Sequence, residues 1–199
     1  MPSLHRFISS FDGNTFISRF PPPRLLSDLK WCRVALEDPS YYRSIMFRPL
    51  IDLDLSVNAS SSWGIGLSVG SQWRAWHLLP GWNAQGRHIG WAESIALEFA
   101  VMEIAARGFH DVHVLVHSDN QGSIGQFLHG RSRNSFINDS IVRTSAIMRH
   151  ANFDVIPEYV ESSKNCADAA SHGVLPAGSS RLPHTFRVPE VLSLFIQDI

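Results

Sequence analysis

Apolar and polar positions along the chain form strand-like and helix-like patterns in a regular order. The predicted strands lie at 51–58, 64–69, 72–79, 112–117 and 153–160. The predicted helices lie at 91–107, 121–128 and 138–149, followed by a short helix that starts near 163–165. Gly70-Ser71 is a strong turn pair between the second and third strands, and Gly108 ends the long helix, because glycine is favoured just past a helix end.

The order of elements is three strands, a helix, a strand, two helices, a strand and a helix, which is typical of a mixed α/β sheet. Residues 1–47 are predicted to be a separate helical segment, with short helices at 4–11 and 25–36 and a break at Pro21-Pro22-Pro23. Residues 48–175 then form the α/β domain. Residues 176–199 are predicted to be a proline-containing tail that wraps the surface or is partly mobile.

Composition narrows the class of protein. The 199 residues are 44% hydrophobic and 18% charged, which fits a globular chain. No apolar run reaches the ~18 residues that a membrane span needs, and the N-terminus does not lead into a signal peptide. Two cysteines suit a reducing compartment, so we expect an intracellular protein of the cytoplasm or nucleus. The net charge of −1 means that any nucleic-acid contact must come from a local basic patch.

Three acidic residues occupy positions at which a sheet edge could gather them. Glu98 lies within the long predicted helix, Asp119 directly follows the fourth strand, and Asp168 lies at the start of the last helix, in a stretch from Asn165 to Gly173. This order resembles the ribonuclease H domain of retrotransposon reverse transcriptases. The family begins with one more carboxylate, on its first strand, before a glycine-containing hairpin. Here that place holds Asn58, in Asn58-Ala59-Ser60 ahead of Trp63-Gly64-Ile65-Gly66.

The resemblance implies a ribonuclease H-like fold: a mixed five-stranded sheet with helices on both faces, preceded here by a short helical segment. It also implies hydrolysis of the RNA strand of RNA–DNA hybrids, with two magnesium ions (Mg²⁺, or Mn²⁺) held by acidic oxygens about 3.5–4 Å apart. Residues 1–47 are too few for a polymerase, so the expectation is a nuclease-like region alone, resembling a retroelement fragment.

Asn58 is the main departure from the family pattern. An amide oxygen can coordinate a metal ion but carries no charge, so two cations would be less well neutralised. We therefore expect weak metal binding and weakened or absent hydrolysis, because electrostatic stabilisation usually contributes most to such catalysis.

The helix offers two candidate ligands. Glu98 falls near the middle of the apolar arc and lies 21 residues before Asp119, close to the spacing of roughly 20 in the resembled family. Glu93 lies at the edge of the arc and is the alternative. The structural alternative for Glu98 is a buried salt bridge or a solvated helix edge, and that for Glu93 is a first-turn glutamate favoured by the helix dipole.

The other candidates also have plain structural explanations. Asp119 suits a metal ligand at a strand end, or a helix cap. Asp168 suits a ligand by its motif, or an ordinary first-turn aspartate; Cys166 and His172 replace a proline and an arginine of the family pattern. Candidates for nucleic-acid contact are Arg131, Arg133, Asn120 and Lys164. Each could instead be an ordinary surface or cap residue.

Two functions from different classes remain open. The first is a weakened hybrid-cleaving nuclease with nucleic acid as its partner. The second is a non-catalytic module that binds nucleic acid or a protein. Asn58 favours the second, whereas Glu98, Asp119 and Asp168 favour the first. The sequence predicts no oligomeric state.

Overall fold

The computed structural model describes residues 2–14, 16–38, 47–174 and 178–199, and its contacts divide the chain into two units, Met1–Ile45 and Met46–Ile199. The first unit contains α1 (Pro2–Ser9) and α2 (Pro23–Glu37), which confirms the predicted short helices. Asp28 joins them by accepting hydrogen bonds from the Ser3 hydroxyl and the Leu4 backbone N–H.

The second unit is built on a seven-stranded mixed sheet in the described residues. Its strands are β1 (Leu50–Ala59), β2 (Gly64–Val69), β3 (Gln72–Leu78), β4 (His113–Ser118), β5 (Asp154–Tyr159), β6 (Ser180–Arg181) and β7 (Ile196–Asp198). Its helices are α3 (Ile89–Ala106), α4 (Gln121–His129), α5 (Ser135–Ala151) and α6 (Asp168–Ser171), with single 3₁₀ turns at Ser162–Lys164 and Glu190–Leu192. None of the described helices is long and apolar enough to cross a membrane.

Strand order confirms the predicted ribonuclease H-like fold class. The order is β5-β4-β1-β2-β3-β6, with β7 also paired to β3. Strands β1, β2 and β3 are antiparallel neighbours, whereas β4 and β5 add in parallel on the other side of β1. The five predicted strands are all present, and the two additional short strands come from the C-terminal segment.

Helices cover both faces of the sheet, as predicted. On one face α3 packs on β1, β2 and β4, and α5 packs on α3. On the other face the short helix α6 packs on β1, β2 and β3. Gly66 allows this close approach, because a Cβ atom there would lie 2.4 Å from the Ala167 carbonyl oxygen and 2.5 Å from the Ser171 backbone nitrogen.

A bulge interrupts the pairing of β1 with β4. Asp52 pairs with Leu115 and Ser56 pairs with His117, so β1 takes four steps where β4 takes two. Asp54 lies inside the bulge with φ +51°, and its backbone N–H donates to the Asp52 carboxylate at 2.8 Å. Because Leu115 and His117 lie on one face of β4, Asp52 and Ser56 still share a face of the sheet, and the bulge alters only the local course of β1 around Asp54.

The described part of the predicted tail, 178–199, is instead part of the second unit. Besides forming β6 and β7, it buries three apolar side chains in the core: Leu182, Leu192 and Ile196. The fully buried Arg74 holds it in place, since its guanidinium lies 4.9 Å from the Trp76 ring and 4.7 Å from the Phe186 ring. The same guanidinium donates to the Asp198 carboxylate and to the Phe186 carbonyl oxygen.

We expect Gly66→Ala to lower the free energy of unfolding by about 2 kcal/mol or more, because the new methyl group would force α6 away from β2. Gly125→Ala is the matched control: a Cβ atom at Gly125 in α4 meets nothing within 4 Å, so alanine should be neutral or stabilising by up to ~1 kcal/mol. Urea unfolding of both variants checks this. Equal stability of the two would contradict the close approach of α6.

Candidate functional site at the ends of β1 and β4

The site begins where the two central parallel strands end. Val57 of β1 is in register with Ser118 of β4, so the next residues, Asn58 and Asp119, lie together where these two strands end. This end of the sheet is called the β1–β4 edge. Asn58 is 5% exposed, and Asp119 is partly buried directly after β4. This position at the carboxyl ends of neighbouring parallel strands is the usual place for a site in an α/β sheet.

Glu93, in the first turns of α3, joins this edge. Burial of its carboxyl group, followed by the nearby charge of Asp119, raises the pKa of Glu93 from 4.5 to about 8, although the backbone N–H of Ala59 and the side chain of Asn120 act to lower that pKa. The side chain is 4% exposed, and its Oε2 has no hydrogen-bond partner among the described residues. Glu93 and Asp119 therefore form an interacting pair of acidic groups.

Asp168, the first residue of α6, reaches the same edge from the opposite face of the sheet. The Asn58 Nδ2 donates a hydrogen bond of 2.8 Å to the Asp168 Oδ1, and the Asn58 Oδ1 accepts one of 2.9 Å from the Ala59 backbone N–H. These two neighbours fix the orientation of the Asn58 amide. If the amide were flipped, its oxygen would face the Asp168 carboxylate and its NH₂ group would face the Ala59 N–H.

Asn165 sets the position of α6 relative to β1. Its side-chain amide donates to the Val57 carbonyl oxygen at 3.0 Å, and its Oδ1 accepts from the Ala167 backbone N–H at 3.1 Å. Sequence reasoning used Asn165 as part of a motif but gave it no role. Its position three residues before Asp168 in that motif was the signal that could have identified it.

His172 and Ser60 complete the surroundings of Asp168, and sequence reasoning missed both contacts. The His172 Nε2 lies 3.8 Å from the Asp168 Oδ1, and its Nδ1 lies 3.2 Å from the Ser60 hydroxyl. His172 is exposed, but its ring also lies against these two residues of the site. The sequence feature that could have indicated the contact is the spacing of His172, which follows Asp168 by one helical turn.

Glu98 lies elsewhere, in the interface between α3 and α5. Its Oε1 accepts from the Arg143 Nε at 2.6 Å, and its Oε2 accepts from the Arg143 Nη2 at 2.8 Å and from the Ser140 hydroxyl at 2.7 Å. Both oxygens of this fully buried carboxylate are therefore engaged in a structural ion pair. The geometry reverses the sequence ranking, because Glu93 rather than Glu98 lies beside Asp119.

The predicted nucleic-acid contacts are distributed around the site. Asn120 caps α4, its Oδ1 accepting from the Ser123 backbone N–H at 2.9 Å, and its side chain also faces Glu93. Arg131 and Arg133 are exposed in the loop between α4 and α5. Lys164 is exposed four residues before Asp168, and forms an ion pair of 3.0 Å with Glu161.

The donor set does not fit a pair of magnesium ions. Magnesium requires oxygen ligands, whereas Asn58 directs an N–H group at Asp168 from the position of the bridging carboxylate that the resemblance implies. Within the described ranges, no three residues among histidine, cysteine, aspartate and glutamate are grouped so that they could hold a metal ion. What the edge retains is the Glu93–Asp119 pair and a third carboxylate, Asp168, which is hydrogen-bonded to Asn58.

Comparison with protein-family models and with curated proteins finds no match for this chain. Among solved structures, the chain is similar to a ribonuclease H1 from the halophilic archaeon Halobacterium salinarum NRC-1. The sequence identity is 16% and the TM-score is 0.42, with 61% of this chain and 93% of that chain covered.

The raised pKa of Glu93 makes a testable contribution to stability. Between pH 4.5 and about 8 the folded chain keeps a proton on Glu93 that the unfolded chain loses, so the free energy of unfolding falls as pH rises through this window. We expect the stability of the wild type relative to Glu93→Gln to decrease by up to about 1.4 kcal/mol per pH unit there and to be constant at lower pH. Urea unfolding on both sides of this window measures the difference. Parallel curves for the two proteins would show that Glu93 titrates normally.

Proposed function

We propose that this chain is a ribonuclease H-like domain of retroelement origin that binds RNA–DNA hybrids and hydrolyses them far more slowly than its Asn58→Asp variant would. The observation that carries the proposal is the 2.8 Å hydrogen bond from the Asn58 amide to the Asp168 carboxylate. At this position the chain has a neutral donor where the resembled family has an anionic acceptor. The β1–β4 edge therefore carries one negative charge fewer than the family pattern. One oxygen of a second carboxylate, Asp168, is already used as a hydrogen-bond acceptor.

The remaining acidic groups support ancestry in a hydrolytic site. Glu93 and Asp119 lie close enough for the charge of one to raise the pKa of the other, as in carboxylate pairs that hold a cation or share a proton. Asp168 is hydrogen-bonded to Asn58, the residue that precedes Ala59 at the end of β1. Glu98 has no part in this proposal, since Arg143 and Ser140 already use both of its oxygens.

Nucleic-acid binding in the proposal depends on local charge, because the whole chain carries a net charge of −1. Arg131 and Arg133 are exposed on one loop that follows α4, and α4 itself starts beside Asp119. Arginine suits phosphate because its planar guanidinium can donate two parallel hydrogen bonds. Lys164 would approach from the side of α6, although its ion pair with Glu161 reduces its availability.

A non-catalytic binding module is the second candidate. The same Asn58–Asp168 bond favours it, because an Asp168 carboxylate that is already bonded to a side chain of its own chain has less need of a cation. The two candidates differ in one measurable property, which is hydrolysis by the unaltered chain.

Asn58→Asp should increase the rate of hybrid hydrolysis by ~10²-fold or more, since it replaces a neutral donor with the missing charge at the site. The assay uses purified chain, a labelled RNA–DNA hybrid, and magnesium or manganese. Asp119→Asn in the Asn58→Asp background is the control and should abolish the gain. Cleavage that survives in this double variant would indicate a contaminating nuclease, and an inactive Asn58→Asp protein that is still folded would contradict the proposed ancestry of the site.

Arg131→Ala and Arg133→Ala should each weaken hybrid binding and reduce the slope of log affinity against log salt by about 1, as expected for one phosphate contact. Arg187→Ala is the matched control, because Arg187 is an exposed arginine on the C-terminal segment and its replacement removes the same charge. Fluorescence anisotropy at several salt concentrations measures the slopes. If all three variants behave alike, the effect is one of net charge and the loop is not the binding surface.

A further inference from the structure

Asp168 already accepts a hydrogen bond from a side chain of its own chain. Its Oδ1 accepts the 2.8 Å bond from Asn58, and the same oxygen lies 3.8 Å from the His172 Nε2. In a metal-dependent site, the oxygens of such a carboxylate would be directed at a cation. Here, protein side chains occupy one of them.

These contacts are held by buried neighbours rather than by exposed side chains alone. The buried Asn58 is fixed at both ends of its amide, since its Oδ1 accepts from the Ala59 N–H while its Nδ2 donates to Asp168. Ser60, which is also buried, contacts the His172 ring at 3.2 Å. The arrangement around Asp168 is therefore preorganised by β1 and needs no ion to assemble it.

Preorganisation of this kind changes what a bound nucleic acid encounters. A phosphate group that approaches four clustered carboxylates is repelled unless a cation neutralises them. In this chain one of the four positions is the uncharged Asn58, and Asp168 is partly compensated by a hydrogen-bond donor. The electrostatic reason for a cation at Asp168 during binding is therefore reduced.

We propose that this chain binds RNA–DNA hybrid at the β1–β4 edge without a divalent cation, because the Asn58 amide takes the place of the cation at Asp168. This inference depends on the proposed hybrid-binding function. It adds that occupancy of the site does not respond to magnesium.

Anisotropy of a labelled hybrid tests this with the full chain, in EDTA and in magnesium at constant ionic strength, with a gel of each sample to verify intact substrate. The dissociation constant of the wild type should agree within about twofold between the two conditions. Asn58→Asp should bind at least ~10-fold more weakly in EDTA than wild type and recover in magnesium, since it restores a charge that needs a cation. Asn58→Ala removes the donor without adding a charge, so Asp168 loses its compensating hydrogen bond. This variant should bind more weakly in EDTA than wild type and recover in magnesium, by less than Asn58→Asp does. An Asn58→Ala protein that binds like wild type in both conditions would overturn the role given to the amide.

Thermal unfolding without nucleic acid gives an independent readout. The unfolding midpoint of wild type should not change with millimolar magnesium, whereas that of Asn58→Asp should be lowered in EDTA and raised by magnesium through binding linkage. Hybrid binding by wild type that requires magnesium would overturn this inference and leave the proposed function standing. No hybrid binding under any condition would overturn both.

Discussion

Burial of α3 on almost every side is the constraint on which the rest of the structure depends. The helix lies between the sheet and α5, and nearly every residue from Trp91 to Ile104 is buried. Three of these residues are glutamates, and a buried carboxylate is costly unless it finds a partner. Glu98 has Arg143 and Ser140, and Glu103 has Arg107 and Thr185.

Glu93 is different from the other two. It has no ion-pair partner among the described residues, lies beside a second acid, and holds its proton to an unusually high pKa of about 8. The fold thus satisfies two of its three buried carboxylates with hydrogen bonds and ion pairs and leaves Glu93 without a cationic partner among the described residues. Perturbed acids of this kind cluster at functional sites.

The same constraint explains why the sequence pattern located the strands well but did not indicate which helix glutamate lies beside Asp119. Turn residues carry local information, and both Gly70 and Gly108 have the positive φ that their predicted roles require. The choice between Glu93 and Glu98 assumed that α3 has an exposed side, so that a position at the centre of the apolar arc would be special. Because α3 is buried on almost every side, the position of a residue in the apolar arc does not show which glutamate belongs to the site. Only tertiary contacts distinguish the two: Glu98 pairs with Arg143, and Glu93 lies beside Asp119.

Other contacts of the site could also not be predicted from the sequence pattern. Asn58, Asp119 and Asp168 were selected by their motifs, and the structure brings them to one edge of the sheet. The roles of Asn165, Ser60 and His172 depend on how α6 lies on β1, which no local spacing specifies. The bulge at Asp54 was hidden because apolar and polar residues continue to alternate through it. The C-terminal segment was interpreted as surface because prolines separate the few apolar residues that it contributes to the core.

That C-terminal segment has a consequence for how the molecule resists self-association. A sheet edge with free N–H and C=O groups is a template for pairing with another chain. On one side, β6 and β7 cover β3 along both of its halves, and Asp198 fastens this cover to the buried Arg74. On the other side, β5 ends the sheet and carries Pro157, which has no N–H to donate. Pairing of the sheet with strands of another chain is thus disfavoured at both outer strands, by the C-terminal strands on one side and by Pro157 on the other.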